Sequence, residues 1–198
     1  MPVDTIDDEK TGLRDRMRKL RLVADQKQGP DAAMAITRHV LDGMGALGLR
    51  PGSILAGYYP IDTEVDVRPV MSRLAERGVI CALPAIVEMN APLTFRRWHP
   101  TDAVENGPLG TLQPPADAGE VDPDVLFVPL LAFDDRGYRL GQGAGYYDRT
   151  LARLRAERPV VAVGIGFAAL ARDAVPFADH DQRLDWILTE SALRTTDR

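Results

Sequence analysis

The sequence predicts an α/β fold: a single-domain three-layer α/β/α sandwich around a mostly parallel, or mixed, central sheet. Short runs such as Val79 to Leu83, Val125 to Val128 and Val160 to Ile165 are apolar throughout instead of alternating, as strands covered on both faces require. Segments with apolar residues at three- and four-residue steps lie between those runs and read as helices. The 198 residues suffice for one sizeable core, and no repeat or low-complexity linker divides them, so the expected domain is 1–198.

Each element has its own signal. Over about Asp7 to Lys27, Leu13, Met17, Leu20 and Ala24 fall on one helix face, while Lys10, Arg14, Arg18 and Arg21 keep the same rhythm beside them. A cationic stripe therefore runs along the apolar one. Gly29-Pro30 is expected to break this helix, and Asp31 to start a second that runs to about Leu47 and is ended by Gly48. Ser53 to Tyr59 is a continuous apolar run of strand length stopped by Pro60. Asp66 to Arg77 reads as a helix closed by Gly78, followed by the buried strand Val79 to Leu83. Leu93 to Trp98 alternates enough for an edge strand, and residues 100–123, rich in Pro, Gly and Asp, read as loop with one short strand at most. Val125 to Val128 is a buried strand stopped by Pro129. Asp135-Arg136-Gly137 suits a hairpin turn, residues 146–157 a helix, Val160 to Ile165 a strand, and Asp185 to Thr189 a short last strand.

Composition excludes several classes of function. The net charge is -5, and the 24 Lys and Arg never form a dense basic block, so no nucleic-acid interface is expected. No apolar run approaches the ~18 residues that crossing a bilayer needs, so no membrane span is expected. Met1 to Lys10 is polar and does not resemble a signal peptide. Cys81 is the only cysteine, which rules out an internal disulfide and a cysteine-based zinc cluster. Its apolar neighbours mark it as a packed thiol. These features together point to the cytoplasm. The histidines lack metal-ligand spacing, and only His180, beside Asp181, is a candidate neighbour of a site.

The chemistry concentrates between Arg139 and Asp148. Gly141, Gly143 and Gly145 alternate, so backbone N–H groups can approach a ligand without side-chain obstruction. A helix predicted from Tyr146 aims its free N–H groups and positive dipole end at the same place, which favours a phosphate. Arg139 adds a planar, permanently charged partner. The run is neither a P-loop, which needs Gly-Lys-Ser/Thr, nor a dinucleotide fingerprint, whose third glycine comes one residue later and directly after a strand. Taken alone, the glycines could equally serve tight packing in a loop. Asp148, in the first helical turn, has two readings: a magnesium ligand or a helix-start carboxylate.

Val128-Pro-Leu-Leu-Ala-Phe-Asp134, Gly137 and Arg139-Leu-Gly-x-Gly-x-Gly-Tyr-Tyr-Asp-Arg149 resemble the signature of 5-formyltetrahydrofolate cyclo-ligases. The resemblance extends to Lys10-x-x-x-Arg14, to Tyr58-Tyr-Pro-Ile-Asp-Thr-Glu64, and to Val175-Pro176, His180-Asp181 and Trp186 to Thr189, in the right order and spacing. It implies an enzyme that uses ATP and Mg2+ to close 5-formyltetrahydrofolate to 5,10-methenyltetrahydrofolate, with phosphorylation of the formyl oxygen; a monomer is expected. Carried onto these positions, Lys10 and Arg139 are the catalytic cations. Lys10, Arg14, Arg139, Leu140, Gly141, Gln142, Gly143, Ala144, Gly145, Tyr146 and Tyr147 surround the nucleotide. Tyr59, Glu64, Gln142 and Tyr147 bind the folate, and Asp148 and Asp181 hold magnesium. Some relatives carry a basic residue at the places of Gln142 or Ala144, and here neither is charged. Two other readings stand beside this one: a non-catalytic nucleotide- or folate-binding member of the family, and an unrelated α/β enzyme acting on a phosphorylated sugar.

Overall fold

A computed structural model describes residues 5–197; the part of the N-terminal reading that concerns Met1 to Asp4 lies outside them. Helix α1 (Ile6–Asp42) opens on a capping box: Thr5 Oγ1 accepts from the Asp8 N–H at 3.3 Å while the Asp8 carboxylate accepts from the Thr5 N–H at 3.2 Å. Met17 and Ala24 are buried and Leu13 and Leu20 pack against the core, as the periodicity requires. The expected pair of helices is one element with a kink. The backbone leaves helical geometry at Gln28, because Pro30 has no N–H for the carbonyl four residues earlier, and it resumes at once.

The chain continues through β1 (Ile54–Ala56), α2 (Arg68–Ala75), β2 (Ile80–Ala85), β3 (Thr94–Arg97), the short pair β4 (Glu105–Asn106) and β5 (Leu112–Gln113), and β6 (Val125–Pro129). A hairpin of β7 (Ala132–Phe133) and β8 (Arg139–Leu140) leads to α3 (Tyr146–Glu157), β9 (Val161–Ile165), β10 (Trp186–Leu188) and β11 (Leu193–Thr195). The seven-stranded sheet has the order β11-β10-β9-β6-β1-β2-β3. Its five central strands are parallel, in registers such as Leu55 opposite both Cys81 and Val125 and Phe127 opposite Val163. Both edges are antiparallel: β3 on β2, as expected of an edge strand, and β11 on β10. The sequence reading missed β11, and it expected one short strand at most where β4 and β5 form a two-stranded sheet.

Topology places the site. The chain steps from β1 through α2 to β2 in one direction across the sheet, and from β6 through α3 to β9 in the other. Right-handed crossovers in opposite directions put α2 and α3 on opposite faces, with α1 packed against α2. The core fills both layers: Leu55, Leu83, Leu126 and Phe127 from the sheet, Ile36 and Leu74 from one helical layer, Leu151 and Leu154 from the other. β1 and β6 are neighbours that lead away from each other, so a crevice opens beyond their carboxyl ends, where open α/β sheets place their ligands. No helix among the described residues is long and apolar enough to cross a membrane.

Candidate active site

One side of that crevice is the loop between β8 and α3. The hairpin that presents it turns at Gly137, whose φ of 86° suits glycine and where an added Cβ would lie 2.6 Å from the Leu184 carbonyl oxygen. Gly143 (φ 106°) and Gly145 (φ 68°) also occupy the left-handed region. None of the backbone N–H groups from Gly141 to Gly145 donates a hydrogen bond to another described residue. α3 starts at Tyr146 with no side-chain cap, so its first N–H groups add to the same unpaired set.

Cations from two elements surround these amides. Arg139 is almost wholly buried; its Nη2 donates to Asp148 Oδ1 at 2.7 Å and its Nη1 to the Gln182 carbonyl. Asp148 Oδ1 also accepts from the Gln182 N–H at 2.9 Å, so the carboxylate orients the guanidinium. From α1, Lys10 is buried against Asp181, Arg14 Nε donates to the Gly141 carbonyl at 3.0 Å, and Arg18 donates to Gln142 Oε1 at 3.3 and 3.2 Å. Four-residue steps bring all three to one helix face. Alone, such a stripe is a solvated charged surface; here it is the wall of the glycine loop.

The segment after β1 forms the other side. Tyr58 is buried and its hydroxyl donates to the Val65 carbonyl at 2.9 Å; the Tyr59 hydroxyl accepts from Arg68 Nη1 at 2.8 Å. The Glu64 side chain is 6% exposed, accepts from the Ile61 N–H at 3.1 Å, and lies 3.5 Å from Arg21 Nη1. Burial raises the Glu64 carboxyl pKa against the opposing pull of the Ile61 N–H and Arg21. The Tyr147 hydroxyl is pushed up by burial first and by the Glu64 charge second, and Tyr58 shifts the same way for the same reasons.

Both sides line one cavity of about 680 Å³, to which Lys10, Arg14, Arg21, Tyr59, Glu64, Arg139, the whole run from Leu140 to Asp148, and Asp181 all contribute. The structure thus brings together every residue expected at the site. Leu140 needs correction in one respect: its side chain is 1% exposed and belongs to the core, so only its backbone can face a ligand. Arg21, Tyr58 and Arg149 also line the cavity and were not singled out as site residues. Arg21 carried a signal in the stripe; Tyr58 and Arg149 sat inside matching motifs without a chemical reason to choose them. An open depression of about 890 Å³ lies at the opposite, amino-terminal edge of β9 and β10. Its cations Arg155 and Arg158 are paired with Asp185 and Asp124, which leaves the first cavity as the candidate site.

Magnesium takes oxygen ligands, and the cavity offers it the carboxylates of Asp148 and Asp181. No group of three or more His, Cys, Asp or Glu among the described residues can form an all-protein cage. Asp148 and Asp181 each engage one oxygen, Asp148 Oδ1 with Arg139 and Gln182 and Asp181 Oδ2 with Lys10 and the Ala178 N–H. The second oxygen of each accepts no hydrogen bond among the described residues. Two carboxylates lining one cavity, each with an oxygen that accepts no hydrogen bond (His180 Nε2 lies 3.8 Å from Asp181 Oδ1), fit magnesium, which takes one or two carboxylates and completes its shell with phosphate and water. Cys81 does not enter this chemistry: its buried thiol hydrogen-bonds the Met71 carbonyl and its pKa is pushed up to about 12 by burial.

The model of the 5-formyltetrahydrofolate cyclo-ligase family matches residues 6–190. The 5-formyltetrahydrofolate cyclo-ligase of Haemophilus influenzae is 28% identical over 181 residues, covering 89% of this chain and 95% of that one. That of Escherichia coli K12 is 33% identical over 144 residues, covering 70% of this chain and 75% of its own. The solution structure of 5,10-methenyltetrahydrofolate synthetase from Aquifex aeolicus superposes with a TM-score of 0.77 at 26% identity, covering 94% of this chain and 92% of that one.

Proposed function

The chain belongs to the 5-formyltetrahydrofolate cyclo-ligase family and is a ligase of that activity; we propose that it consumes ATP with magnesium and that the reaction runs in the cavity between the glycine loop and Glu64. A formamide oxygen is a poor leaving group, and phosphorylation makes it a good one. The formyl oxygen of 5-formyltetrahydrofolate attacks the γ-phosphorus, and the bond from that phosphorus to the β–γ bridging oxygen breaks to release ADP. N10 then adds to the activated formyl carbon and loses its proton, the carbon–oxygen bond breaks, inorganic phosphate leaves, and the ring of 5,10-methenyltetrahydrofolate is closed.

Phosphoryl transfer asks mainly for positioning and charge neutralisation. The amides of Gly141 to Gly145 and the start of α3 cradle the triphosphate, with Arg139, Lys10 and Arg14 neutralising it. Lys10 and Arg139 are each held by a carboxylate in the free protein and keep further N–H donors for phosphate oxygens. Asp148 and Asp181 would hold magnesium, which neutralises phosphate charge. Glu64 accepts from the donor-rich edge of the pterin, and Tyr59 and Tyr147 pack beside the ring. Gln142, held by Arg18, faces the substrate from the loop. We place the reaction in the cytoplasm, and a monomer suffices because one chain supplies every group.

The observation that carries this reading is the set of unpaired amides from Gly141 to Gly145 in the same cavity as a buried carboxylate. Incubation with ATP, magnesium and 5-formyltetrahydrofolate, followed by the absorbance of the methenyl product, tests it. The signal should require all three. Tight ATP binding without any absorbance change would make the protein a binding member of the family and sink the catalytic reading.

A further inference from the structure

Arg21 differs from the other cations of the stripe in what it meets. Lys10, Arg14 and Arg18 pair with Asp181, Gly141 and Gln142, whereas the Arg21 guanidinium sits with the residues that follow β1. Its Nε donates to Thr63 Oγ1 at 3.0 Å, and its Nη1 lies 3.5 Å from Glu64 Oε1. The side chain is 4% exposed; Nη1 is closed off beside the Glu64 carboxylate, while Nη2 keeps some accessible surface and makes no hydrogen bond to any described residue. Arg21 and Glu64 both line the cavity. A buried guanidinium donor left without an acceptor is costly, and such a group is kept where a ligand completes it.

The two side chains present a fixed order of chemistry: an acceptor pair on the carboxylate, then a cationic donor beside it. The 2-amino-4-oxo edge of a pterin presents the complement, two adjacent donors (the 2-amino group and N3–H) followed by the O4 acceptor. We propose that Arg21 is a specificity-determining residue of the substrate site, whose Nη2–H donates to the pterin 4-oxo oxygen while Nη1 stays beside Glu64, which accepts from N3–H and the 2-amino group. This assignment builds on the reading of Glu64 as the anchor of the pterin. A 2,4-diamino ring offers a bare N3 lone pair to the carboxylate and an amino donor to the guanidinium, so it is rejected at both contacts. Sites built around a hydrogen bond discriminate strongly against a partner that cannot make it, because buried groups are then left unpaired.

Arg21 serves Glu64 electrostatically as well. The titratable groups that face Glu64 are Arg21 from α1, Tyr58 and Asp62 around β1 and its following turn, and Tyr147 from α3. Burial favours the neutral carboxyl, and Arg21 is the cation that opposes it. With the Ile61 N–H, the residue thereby favours the acceptor form of its neighbour.

The experiment is a binding comparison between folic acid and its 4-amino analogue, which differ only at that ring position, by calorimetry on the full chain. The wild type should bind the 4-oxo compound at least tenfold more tightly. Arg21→Lys keeps the charge but not the forked donor, and should cut that ratio at least threefold and raise the KM for 5-formyltetrahydrofolate more than it lowers kcat. Thr63→Val removes the acceptor that orients the guanidinium without uncovering a charge. It should lower the ratio in the same direction, and it decides the matter if Arg21→Lys fails to fold. A ratio unchanged in Thr63→Val and in any folded Arg21→Lys overturns the assignment of Arg21. A wild type that turns over 5-formyltetrahydrofolate yet binds both compounds equally overturns it too and leaves the cyclo-ligase reading standing. Binding of neither compound, with no turnover, defeats both.

Discussion

Arg14 and Gly141, 127 residues apart in the chain, meet at 3.0 Å, where the arginine Nε donates to the glycine carbonyl oxygen. This contact ties α1 to the glycine loop and turns the loop's carbonyl side toward the helix while its N–H groups stay unpaired. Gly143 sits against the same guanidinium: a Cβ there would lie 3.2 Å from Arg14 Cζ, on a backbone with φ of 106°. Gly143→Ala is therefore strained by its backbone and crowds Arg14 at once. The conformational penalty is roughly 1–2 kcal/mol, so the loop should relax out of position. Expected is a rise of about tenfold in the KM for ATP, with the melting temperature lowered by only a few degrees. An unaltered KM would show that the loop does not hold the nucleotide.

Arg139→Ala removes a cation buried beside the glycine loop and leaves Asp148 Oδ1 with only the Gln182 N–H. Turnover should fall at least tenfold, which corresponds to about 1.4 kcal/mol or more of lost transition-state stabilisation. Steady-state kinetics at saturating ATP and folate measures it. Full activity would remove Arg139 from the site.

Asp148→Asn is a milder change, because the amide oxygen still accepts from Gln182 and Arg139. It removes the charge and one of two carboxylates available to magnesium. The half-saturating magnesium concentration should rise several-fold, and secondary structure by circular dichroism should stay the same. A superimposable magnesium titration would mean that Asp148 is no ligand and acts only on Arg139.

Lys10→Met probes the ion pair with Asp181, whose side chains are 9% and 14% exposed. Burial alone would raise the Asp181 carboxyl, yet the hydrogen bonds from Lys10 and the Ala178 N–H outweigh it and hold the pKa below the usual range. A carboxyl depressed in the folded state binds its proton less readily than in the unfolded chain. Its contribution is complete above the ordinary value of about 3.9 and is lost as pH falls through the depressed one. Urea unfolding should show Lys10→Met less stable than the wild type by roughly 1–3 kcal/mol at pH 7, with the gap narrowing below about pH 4. A gap constant down to pH 3 would mean that the pair contributes nothing through charge.

Local signals carried the sequence reading furthest where they were dense. The helix expected at 146–157 has the same bounds in the structure, because Gly145 stops the preceding loop and Leu151 and Leu154 set its inner face. The buried strands were legible from unbroken apolar runs, though their bounds differ from the runs. Ser53 to Tyr59 contains only Ile54–Ala56 as strand, since beyond it the chain turns out of the sheet to line the cavity. β11 escaped because Leu193-Arg194-Thr195 is a half-exposed edge with no hydrophobic pattern; it is a strand because β10 supplies its partner. Gly29-Pro30 correctly marked a disruption, yet packing of Ala32, Ile36 and Val40 carries the helix past it.

By itself, the sequence determined the parallel-rich sheet, the glycine loop ahead of α3 and the family motifs, since each is carried by residues a few positions apart. Only the tertiary structure decided which charges act. Lys10 and Arg18 follow one periodicity, but Lys10 is buried on Asp181, 171 residues away, while Arg18 stays half in water. Arg21 and Glu64 likewise become a pair only because the turn after β1 folds against α1. A charged side chain takes its energy from the water it loses and the partner it gains, and both are set by parts of the chain that its own neighbours do not encode.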